Sequence, residues 1–580
     1  MKLAPDDKLY QIDKSISKIS DVVAMKLDNI TLQINNIESN IENYILEREF
    51  LRQYEVVYDK IDRIDFLYNE TRLWAESLGK NKSWDLQNKT DEMLSLGPDY
   101  PQSMKCEDMT PQYQLFSLYK QLIYTEAQGM AAMAFACAWR VKHTSFLYEL
   151  DEIKYERIRS IIEYTGLFKN KMKFARNFIR QCDAKYKIDK NRKGNNTYAS
   201  FNNMYYTTVL DRANFILYAE NKRPTFRLSQ LHNESIDHSH SYDKICPGWI
   251  SNCKEVWSID YCERKEENQT STKNYYWIKY TELSTRKEKI FGDKSHPCKS
   301  TKLSNEVLGG SPIHRKTTEY YPVYCDCKDD SIDTDNKSIR AFSLLWVVTG
   351  ARLVAKDRMI HIQLREGKLL PYGEIDKNTE RWVPLPTFKY EKKFPNKAIH
   401  EDGKEYALNE YVHFISIQAL YSKVLCLQKL TLDGQYLLIG VRFKYDHSNH
   451  LRLETKYIGF NHENGNINTD TEFQEQSCKQ LPELILNNPD DPLKFNTHPH
   501  DSKENQFITI RASDLIKDAS QTTIPFFDLL EVAPEISVPI SGIELFHKGQ
   551  LDGTSGGYIS LKIYSLNLTT YMNLPSFYDI

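Results

Sequence analysis

The sequence predicts an α+β protein of several domains: an amino-terminal antiparallel helical bundle, a small disulfide-rich module and a carboxyl-terminal all-β body with three pseudo-repeats. Three observations lead to this fold class. Apolar residues recur at helical spacing in the amino half, six cysteines lie within residues 246–327, and three similar alternating stretches follow. The predicted units are a helical bundle at 1–225, a cysteine-rich linker module at 226–338 and a β-rich pseudo-threefold domain at 339–580.

The first helical pattern covers residues 7–75, where apolar side chains step by three or four positions from Leu9 to Ile45. Such a stripe is typical of a coiled coil between two chains, and equally of a long helix packed inside a single-chain bundle. The many Asn and Ser residues between the apolar positions favour the bundle. A homo-oligomer through residues 7–75 stays open as the alternative.

The second pattern is the stretch EAQGMAAMAFACAWRVK at residues 126–142, with only apolar or small residues from Gly129 to Trp139. As a helix this run rises about 16 Å, roughly half of the ~30 Å hydrocarbon core of a bilayer. It therefore predicts a helix at the centre of the bundle. Conditional insertion of a helical hairpin into a membrane, as in helical toxins, is the alternative.

Three stretches of the carboxyl half share one pattern: an aliphatic residue, a glycine, an alternating run, a polar turn and a second alternating run. They lie at 347–364, 438–455 and 539–563, with Gly350, Gly440 and Gly542 as the shared glycines. Alternation with a period of two predicts that each stretch is a β-hairpin, with the glycine at a bend or close contact. Three alike hairpins predict a β-prism or trefoil-like body.

Eleven cysteines are present, and ten of them are predicted to form disulfide bonds. Cys325 and Cys327 are too close in sequence to bond comfortably, so each needs a distant partner. Cys106–Cys182 and Cys426–Cys478 are plausible outer pairs, while the pairing of the central six stays open. The predicted disulfide residues are Cys106, Cys182, Cys246, Cys253, Cys262, Cys298, Cys325, Cys327, Cys426 and Cys478. Cys137 is then a buried apolar residue.

N-glycosylation sequons, like the predicted disulfide bonds, favour an extracellular location. They lie at Asn29, Asn69, Asn81, Asn88, Asn195, Asn233, Asn268, Asn336 and Asn567. Together with the cysteines they predict a secreted, extracellular protein. The amino terminus has no apolar signal-peptide core, so we expect that a signal sequence has been removed and replaced by Met1.

Composition and the absence of known motifs argue against several other functional classes of protein. The 580 residues carry a net charge of −3, which gives no reason to expect a nucleic-acid partner. The mean hydropathy of −0.58 is typical of a soluble globular protein. No catalytic or nucleotide-binding signature is present, so the sequence assigns no catalytic residue, metal or cofactor.

The GTSGG sequence at 553–557 lies between two strand-like runs and predicts a hairpin turn. A lectin-like site is the functional alternative. In it, Asp552 accepts hydrogen bonds from hydroxyl groups, Gly556 and Gly557 let the backbone approach a sugar, and Tyr558 stacks on the ring. Other polar or acidic loop residues could serve as metal ligands or as an acid–base pair, but we interpret them as solvated side chains. They are Asp237, His238, His240, Asp243, Asp490, Asp491, His498, His500 and Asp501.

The stretches VTGARLVAKDRMIHIQLREGKLLPYGEI and PISGIELFHKGQLDGTSGGYISLKI resemble an uncharacterised arthropod family of secreted proteins that carry a domain of unknown function. The resemblance covers about 110–565 and implies an extracellular protein without implying a reaction. The order of a helical bundle followed by a three-sided β body also looks like the first two domains of three-domain insecticidal toxins, a similarity of architecture without shared motifs.

These observations predict a secreted, non-enzymatic binding or structural protein of an extracellular fluid or secretion. Its partners would be extracellular glycans or proteins, with glycans bound through the β domain. The alternative is a pore-forming or toxin-like defence protein that uses the helical domain, and it is the only interpretation that needs a membrane. An undetected hydrolase is the third hypothesis.

Overall fold

In the computed structural model, the described residues are parts of 110–123, most of 146–210, parts of 225–342 and most of 346–572. Strands form 52% of them and helix only 12%. Two α-helices are described, α1 (Phe146–Met172) and α2 (Leu515–Asp518), and several residues between 112 and 123 are also helical. Short 3₁₀ turns cover Pro371–Gly373, Pro492–Lys494 and Leu568–Tyr571.

The strands are numbered in chain order. Those before residue 345 are β1 (Phe178–Arg180), β2 (Tyr198–Ala199), β3 (Tyr205–Val209), β4 (Thr225–Phe226), β5 (Trp249–Glu255), β6 (Ser258–Glu263), β7 (Tyr275–Thr281), β8 (Glu288–Gly292), β9 (Thr301–Ser304), β10 (Glu306–Leu308), β11 (Thr318–Tyr320), β12 (Val323–Lys328), β13 (Lys337–Ile339) and β14 (Ala341–Phe342). Those after it are β15 (Val347–Lys356), β16 (Met359–Leu370), β17 (Glu374–Trp382), β18 (Phe388–Glu391), β19 (Phe394–His400), β20 (Glu405–Ala407), β21 (Phe414–Ser416), β22 (Val424–Leu427), β23 (Lys429–Thr431), β24 (Tyr436–Tyr445), β25 (Leu451–Phe460), β26 (Ile467–Glu475), β27 (His500–Asp501), β28 (Gln506–Thr509), β29 (Arg511–Ala512), β30 (Thr523–Ile524), β31 (Phe526–Asp528), β32 (Ile540–Gly549) and β33 (Tyr558–Ser565).

The predicted fold class, with a helical bundle as its amino half, is wrong. The described part of that half contains one long helix, which packs on β-strands and on the helical residues between 112 and 123 and does not form a helical bundle with them. Ile161 and Phe168 of α1 share a core with Val347, Leu437 and other strand residues. A stripe at helical spacing identifies a buried face but not the element that buries it. The stretches 7–75 and 126–142 lie outside the described residues.

The three repeated stretches are antiparallel hairpins, as predicted: β15–β16, β24–β25 and β32–β33. In each hairpin the strand register shifts just before the shared glycine, Gly350, Gly440 or Gly542. An added Cβ at Gly350 would lie 2.8 Å from Cβ of Ala533, and one at Gly542 would lie 2.3 Å from Cγ2 of Thr431. At these two positions glycine permits the close contact that the pattern predicted.

The three hairpins belong to three different sheets that enclose one core. The strand orders are β15-β16-β13-β21, β14-β24-β25-β22-β28 and β2-β31-β33-β32-β23, with further strands at the sides. Each hairpin supplies fully or almost fully buried aliphatic residues to this core, among them Leu353, Ile362, Val441, Leu453, Ile543 and Leu561. Strands β1 and β2 come from the amino half and pair with β33 and β31, so the third sheet joins distant parts of the chain.

The cysteine-rich region contains two four-stranded sheets, β3-β12-β5-β4 and β8-β7-β6-β9. As predicted, its six cysteines pair with one another, and Cys325 and Cys327 each reach a distant partner. The pairs are Cys246–Cys327, Cys253–Cys325 and Cys262–Cys298. The predicted pair Cys426–Cys478 is confirmed as well.

Several predicted modification sites fall outside the described residues. They are Cys106, Cys182 and eight of the nine sequon asparagines. The described sequon residue, Asn567, is half-buried, and its side-chain oxygen accepts a hydrogen bond from the Thr569 N–H at the start of the last 3₁₀ turn.

Candidate functional site

A pocket with about 330 Å³ of free space, part of it open to solvent, lies beside the turn that links β16 to β17. Its enclosed part amounts to only about 20 Å³, room for roughly one water molecule, so a larger ligand can bind only across the open side of the pocket. Its lining combines aromatic side chains with one ion pair and includes Tyr113, Phe116, Lys120, Tyr372, Glu374 and Leu568. We call it the Tyr372 pocket. It brings together the helical segment around residue 116, the 371–373 turn and the end of β33.

Tyr372 occupies a backbone conformation that is unusual for a residue other than glycine. Its φ of 64° and ψ of 24° place it in the left-handed region. The turn is fixed because the Tyr372 N–H donates a hydrogen bond of 2.6 Å to the carbonyl oxygen of His462. The Tyr372 ring meets the His462 ring edge-on, and His462 in turn stacks on Tyr571 at 3.7 Å between centroids. Strained backbone held by surrounding contacts is enriched at functional sites.

An ion pair forms the polar side of the pocket. Lys120 Nζ lies 2.9 Å from Glu374 Oε1, and the two side chains keep 18% and 25% of their surface exposed. The ammonium group is a hydrogen-bond donor and the carboxylate an acceptor, so together they can hold hydroxyl groups of a ligand. Burial lowers the pKa of the neighbouring His462 to about 4, and the positive charge of Lys120 acts in the same direction.

The four residues predicted for a lectin-like site do not form one open surface. Asp552 is exposed, and its carboxylate accepts hydrogen bonds from the N–H and hydroxyl of Thr554. Gly556 and Gly557 are buried, and Tyr558 has no exposed surface. The Tyr558 ring contacts its aromatic neighbours edge-on and therefore presents no face to a sugar. The structure leaves Asp552 alone accessible among the four.

The glycines of this turn have a packing role. Gly557 has a φ of +66°, and an added Cβ would lie 2.1 Å from Nε2 of His547 and 2.3 Å from the carbonyl oxygen of Lys548. The same imidazole nitrogen is hydrogen-bonded to the Gly556 carbonyl oxygen at 3.0 Å. A side chain at residue 557 would both strain the backbone and break this contact.

We therefore expect Gly557→Ala to lower the free energy of unfolding by about 3 kcal/mol or more, from strain and overpacking together. Gly166→Ala is the matched control. It lies inside α1 with nothing within 4 Å of an added Cβ, so the same change should raise stability by about 1 kcal/mol. Denaturant unfolding of both variants checks this, and an equal response of the two would contradict the packing role.

A buried histidine and serine meet at the same turn. Nε2 of His498 and Oγ of Ser555 are hydrogen-bonded at 3.1 Å, and the exposed fraction is 1% for His498 and 0% for Ser555. The Gly557 N–H also donates to Oγ of Ser555. Burial lowers the pKa of His498 to about 4, with Lys548 contributing, so the imidazole is neutral at pH 7. The pair closes the turn and offers no accessible nucleophile.

The loop residues that could serve as metal ligands contact other partners in the structure or lie outside its described part. Asp501 forms ion pairs with Arg180 at 3.1 Å and Lys562 at 3.4 Å, away from the His498–Ser555 contact. Residues 237–243 lie outside the described part of the chain. Asp446, His450 and Cys478 offer ligand atoms within 4.8 Å of one another. However, the sulfur of Cys478 is bonded to Cys426, and a disulfide sulfur is not the thiolate that binds metals.

The acidic pair Asp490–Asp491 is part of an ion-pair network rather than a free acid–base pair. Lys273 Nζ lies 2.6 Å from Asp491 and 2.6 Å from Asp518, and Lys494 pairs with Asp490 at 2.7 Å. The Asp491 side chain also accepts a hydrogen bond from the N–H of Leu493 at the start of a 3₁₀ turn. This network links β7 to the 490–494 loop and to α2.

Comparison with known protein families gives a match over part of the chain. A domain of unknown function, DUF4803, covers residues 102–364. This range includes the helical side of the Tyr372 pocket and ends before Tyr372 itself. No curated protein matches the chain. Among the helices that the structure describes, none is long and apolar enough to span a bilayer.

The sequence did not identify the Tyr372 pocket as a site. The PYG sequence at 371–373 signals a turn, because proline and glycine flank one residue. It gives no sign that Glu374 pairs with Lys120, which lies 254 positions away in the chain. The pocket is a product of tertiary packing.

Proposed function

We propose that this protein is a secreted, disulfide-stabilised, non-enzymatic binding protein that binds extracellular glycans across the open side of the Tyr372 pocket. The observation that carries the proposal is the combination of three aromatic side chains, Tyr113, Phe116 and Tyr372, with the Lys120–Glu374 ion pair in one small cavity. Aromatic side chains provide apolar contact area for the C–H face of a sugar, and the charged pair provides donors and acceptors for its hydroxyl groups.

The extracellular compartment is supported by the four disulfide bonds of the described residues. Disulfides persist in oxidising environments and are rare in the cytosol. Extracellular glycans are the partner class that such a compartment presents to a protein with an aromatic, hydroxyl-binding pocket.

The carboxylate groups that line the pocket favour binding of a sugar over its hydrolysis. Of the described residues that line the pocket, Glu374 alone has a carboxylate, and that carboxylate is held in an ion pair. Hydrolysis of a glycosidic bond usually requires two carboxyl groups, one on each side of the bond. The pocket therefore suits a role in which the sugar is held and released unchanged.

Glycan-array binding of the full-length secreted protein tests the proposal. We expect Tyr372→Ala to weaken binding of the best glycan by roughly 30-fold, the ~2 kcal/mol that a contacting tyrosine contributes. Glu374→Gln keeps the shape but removes the charge, and we expect about a tenfold loss. Tyr372→Phe should retain most of the affinity because the ring is preserved.

Tyr155→Ala is the matched control, since Tyr155 lies on α1 with 60% of its surface exposed and is not a pocket residue. It should bind as the wild type does. Binding that is undiminished in both Tyr372→Ala and Glu374→Gln, or no binding by the wild type to any glycan, would overturn the proposal.

A further inference from the structure

A lysine and an aspartate lie fully buried against each other in the third sheet. Lys548 Nζ lies 2.9 Å from Asp528 Oδ2, and neither side chain exposes any surface. Asp528 ends β31 and Lys548 belongs to β32, the two strands that flank β33. Removing two opposite charges from water costs several kcal/mol for each ion, so a dry pair of this kind needs close contact and further hydrogen bonds to persist.

The hydrogen bonds around the Asp528 carboxylate distinguish its two oxygens. Oδ1 accepts a hydrogen bond of 3.0 Å from the backbone N–H of Leu530. Oδ2 accepts one of 3.0 Å from the hydroxyl of Ser560 and also contacts the ammonium group of Lys548. One oxygen therefore faces a fixed backbone donor, while the other faces two groups that can pass protons.

Aromatic side chains close the environment of this pair. Tyr198 and Phe526 stack with their ring centroids 5.4 Å apart, and Tyr558 meets both rings edge-on. Tyr558 is directly opposite Lys548 in the sheet and also next to Phe526 on its other side. These residues are buried, so the pair lies in a low-dielectric region where a neutral amine is a good nucleophile.

We propose that Lys548 and Asp528 become joined by an intramolecular amide bond between Nζ and Cγ. The ammonium group of Lys548 first gives one proton to Oδ2, which leaves a neutral amine and a neutral carboxylic acid. The amine nitrogen attacks Cγ, and the negative charge that develops on Oδ1 is stabilised by the Leu530 N–H.

The second proton then moves from the nitrogen to Oδ2 through the Ser560 hydroxyl, the Cγ–Oδ2 bond breaks, and water leaves. The overall change is an ammonium and a carboxylate converted into an amide and one water molecule. It needs no oxidant, reductant or other reactant. The bond would cross over β33 and tie β31 to β32, and a reducing agent would not break it.

Mass spectrometry of the full-length secreted protein tests this proposal. The protein is unfolded, its disulfides are fully reduced and its N-linked sugars are removed before the intact mass is measured. We expect a mass one water below the value calculated from the sequence. Proteolysis should release a branched peptide that joins the segment around Asp528 to the segment around Lys548.

Lys548→Arg should restore the full mass and abolish the branched peptide, because a guanidinium group does not form this amide. Lys562→Arg is the matched control: it replaces another buried lysine of the same sheet, 3.4 Å from Asp501, and should keep the deficit. A full-mass wild-type protein in which the four described disulfides are correctly paired would overturn the proposal, as would a water deficit that persists in Lys548→Arg.

Discussion

Replacing the four cysteines of the bridges Cys246–Cys327 and Cys253–Cys325 by serine is expected to lower the free energy of unfolding by about 6.5 kcal/mol. The two bridges are nested, because Cys253–Cys325 closes a loop of 72 positions and Cys246–Cys327 closes one of 81 around it. The loop closed by Cys253–Cys325 already contains the bridge Cys262–Cys298, which shortens its free chain to about 37 residues. Closing it is worth about 3.8 kcal/mol in the chain-entropy model, and the second bridge closes a ring of only about ten residues, worth about 2.7 kcal/mol.

Each double serine variant, which keeps one bridge, should therefore lose only about 2.7 kcal/mol. The loss in the fourfold variant should exceed the sum of the two double variants by about 1.1 kcal/mol. Denaturant unfolding of the three variants and the wild type provides the comparison. Losses that simply add, or a fourfold variant as stable as the wild type, would show that the bridges do not restrict a shared unfolded loop.

Acidification from pH 7 to pH 5 is expected to remove about 6 kcal/mol of stability through three buried histidines. His462, His498 and His547 each have a pKa lowered from 6.5 to about 4, with burial as the main cause in every case. Positive charge from Lys120 adds to the effect at His462, as Lys548 and His547 do at His498. At His547, His500 acts in the same direction, while the Gly556 carbonyl and Asp501 oppose it.

The direction in which stability changes with pH follows from the number of protons that each state binds. Between pH 6.5 and pH 4 these imidazoles are protonated in the unfolded chain and neutral in the folded protein. The unfolded state then binds more protons, so stability is complete above pH 6.5 and falls as the pH drops towards 4. Each histidine accounts for about 2 kcal/mol at pH 5. Burial raises the pKa of Glu544, so this carboxyl group acts in the opposite direction.

A comparison of variants isolates the histidine contribution. His498→Gln keeps a hydrogen-bonding group near Ser555 but does not titrate, so its stability should fall by about 2 kcal/mol less than that of the wild type between pH 7 and pH 5. His296→Gln is the control, because this side chain is 53% exposed, and its pH profile should match the wild type. Equal losses in the wild type and His498→Gln would contradict the assignment.

The hairpins and the need of Cys325 and Cys327 for separate distant partners were accessible to sequence reasoning because their signals are local, whereas the pairing of the six central cysteines was not. Period-two alternation around Gly350, Gly440 and Gly542 reflects side chains that point to opposite faces of a strand. The two-residue spacing of Cys325 and Cys327 forces each to a separate partner. These features do not depend on how the sheets later pack.

The fold class was not accessible, because the apolar stripe of α1 has the same appearance whether helices or strands cover it. Residues such as Phe168 bury their side chains against strands that begin almost 180 positions later in the chain. The same limit applies to the Tyr372 pocket and to the Lys548–Asp528 pair. In both, the sequence shows ordinary charged residues, and only the tertiary structure brings them into contact.

Tyr558 is a residue that the sequence suggests as an exposed ligand contact and that the structure buries. In the sequence it follows a glycine-rich turn and so matches the pattern of an exposed stacking residue. In the structure it starts β33, every residue of which is buried, and its ring lies in the aromatic cluster with Tyr198 and Phe526. Both faces of this strand are covered by other parts of the chain, and the turn sequence alone does not show that.

The central claim, that the described part of this chain is a β-rich fold held by disulfides, and with it the proposal of an extracellular location, is tested most directly by peptide mapping of the natural protein under non-reducing conditions, with free thiols alkylated before digestion. The account predicts linked peptides for Cys246–Cys327, Cys253–Cys325, Cys262–Cys298 and Cys426–Cys478. Alkylated, unpaired cysteines at these eight positions in the folded protein would contradict it.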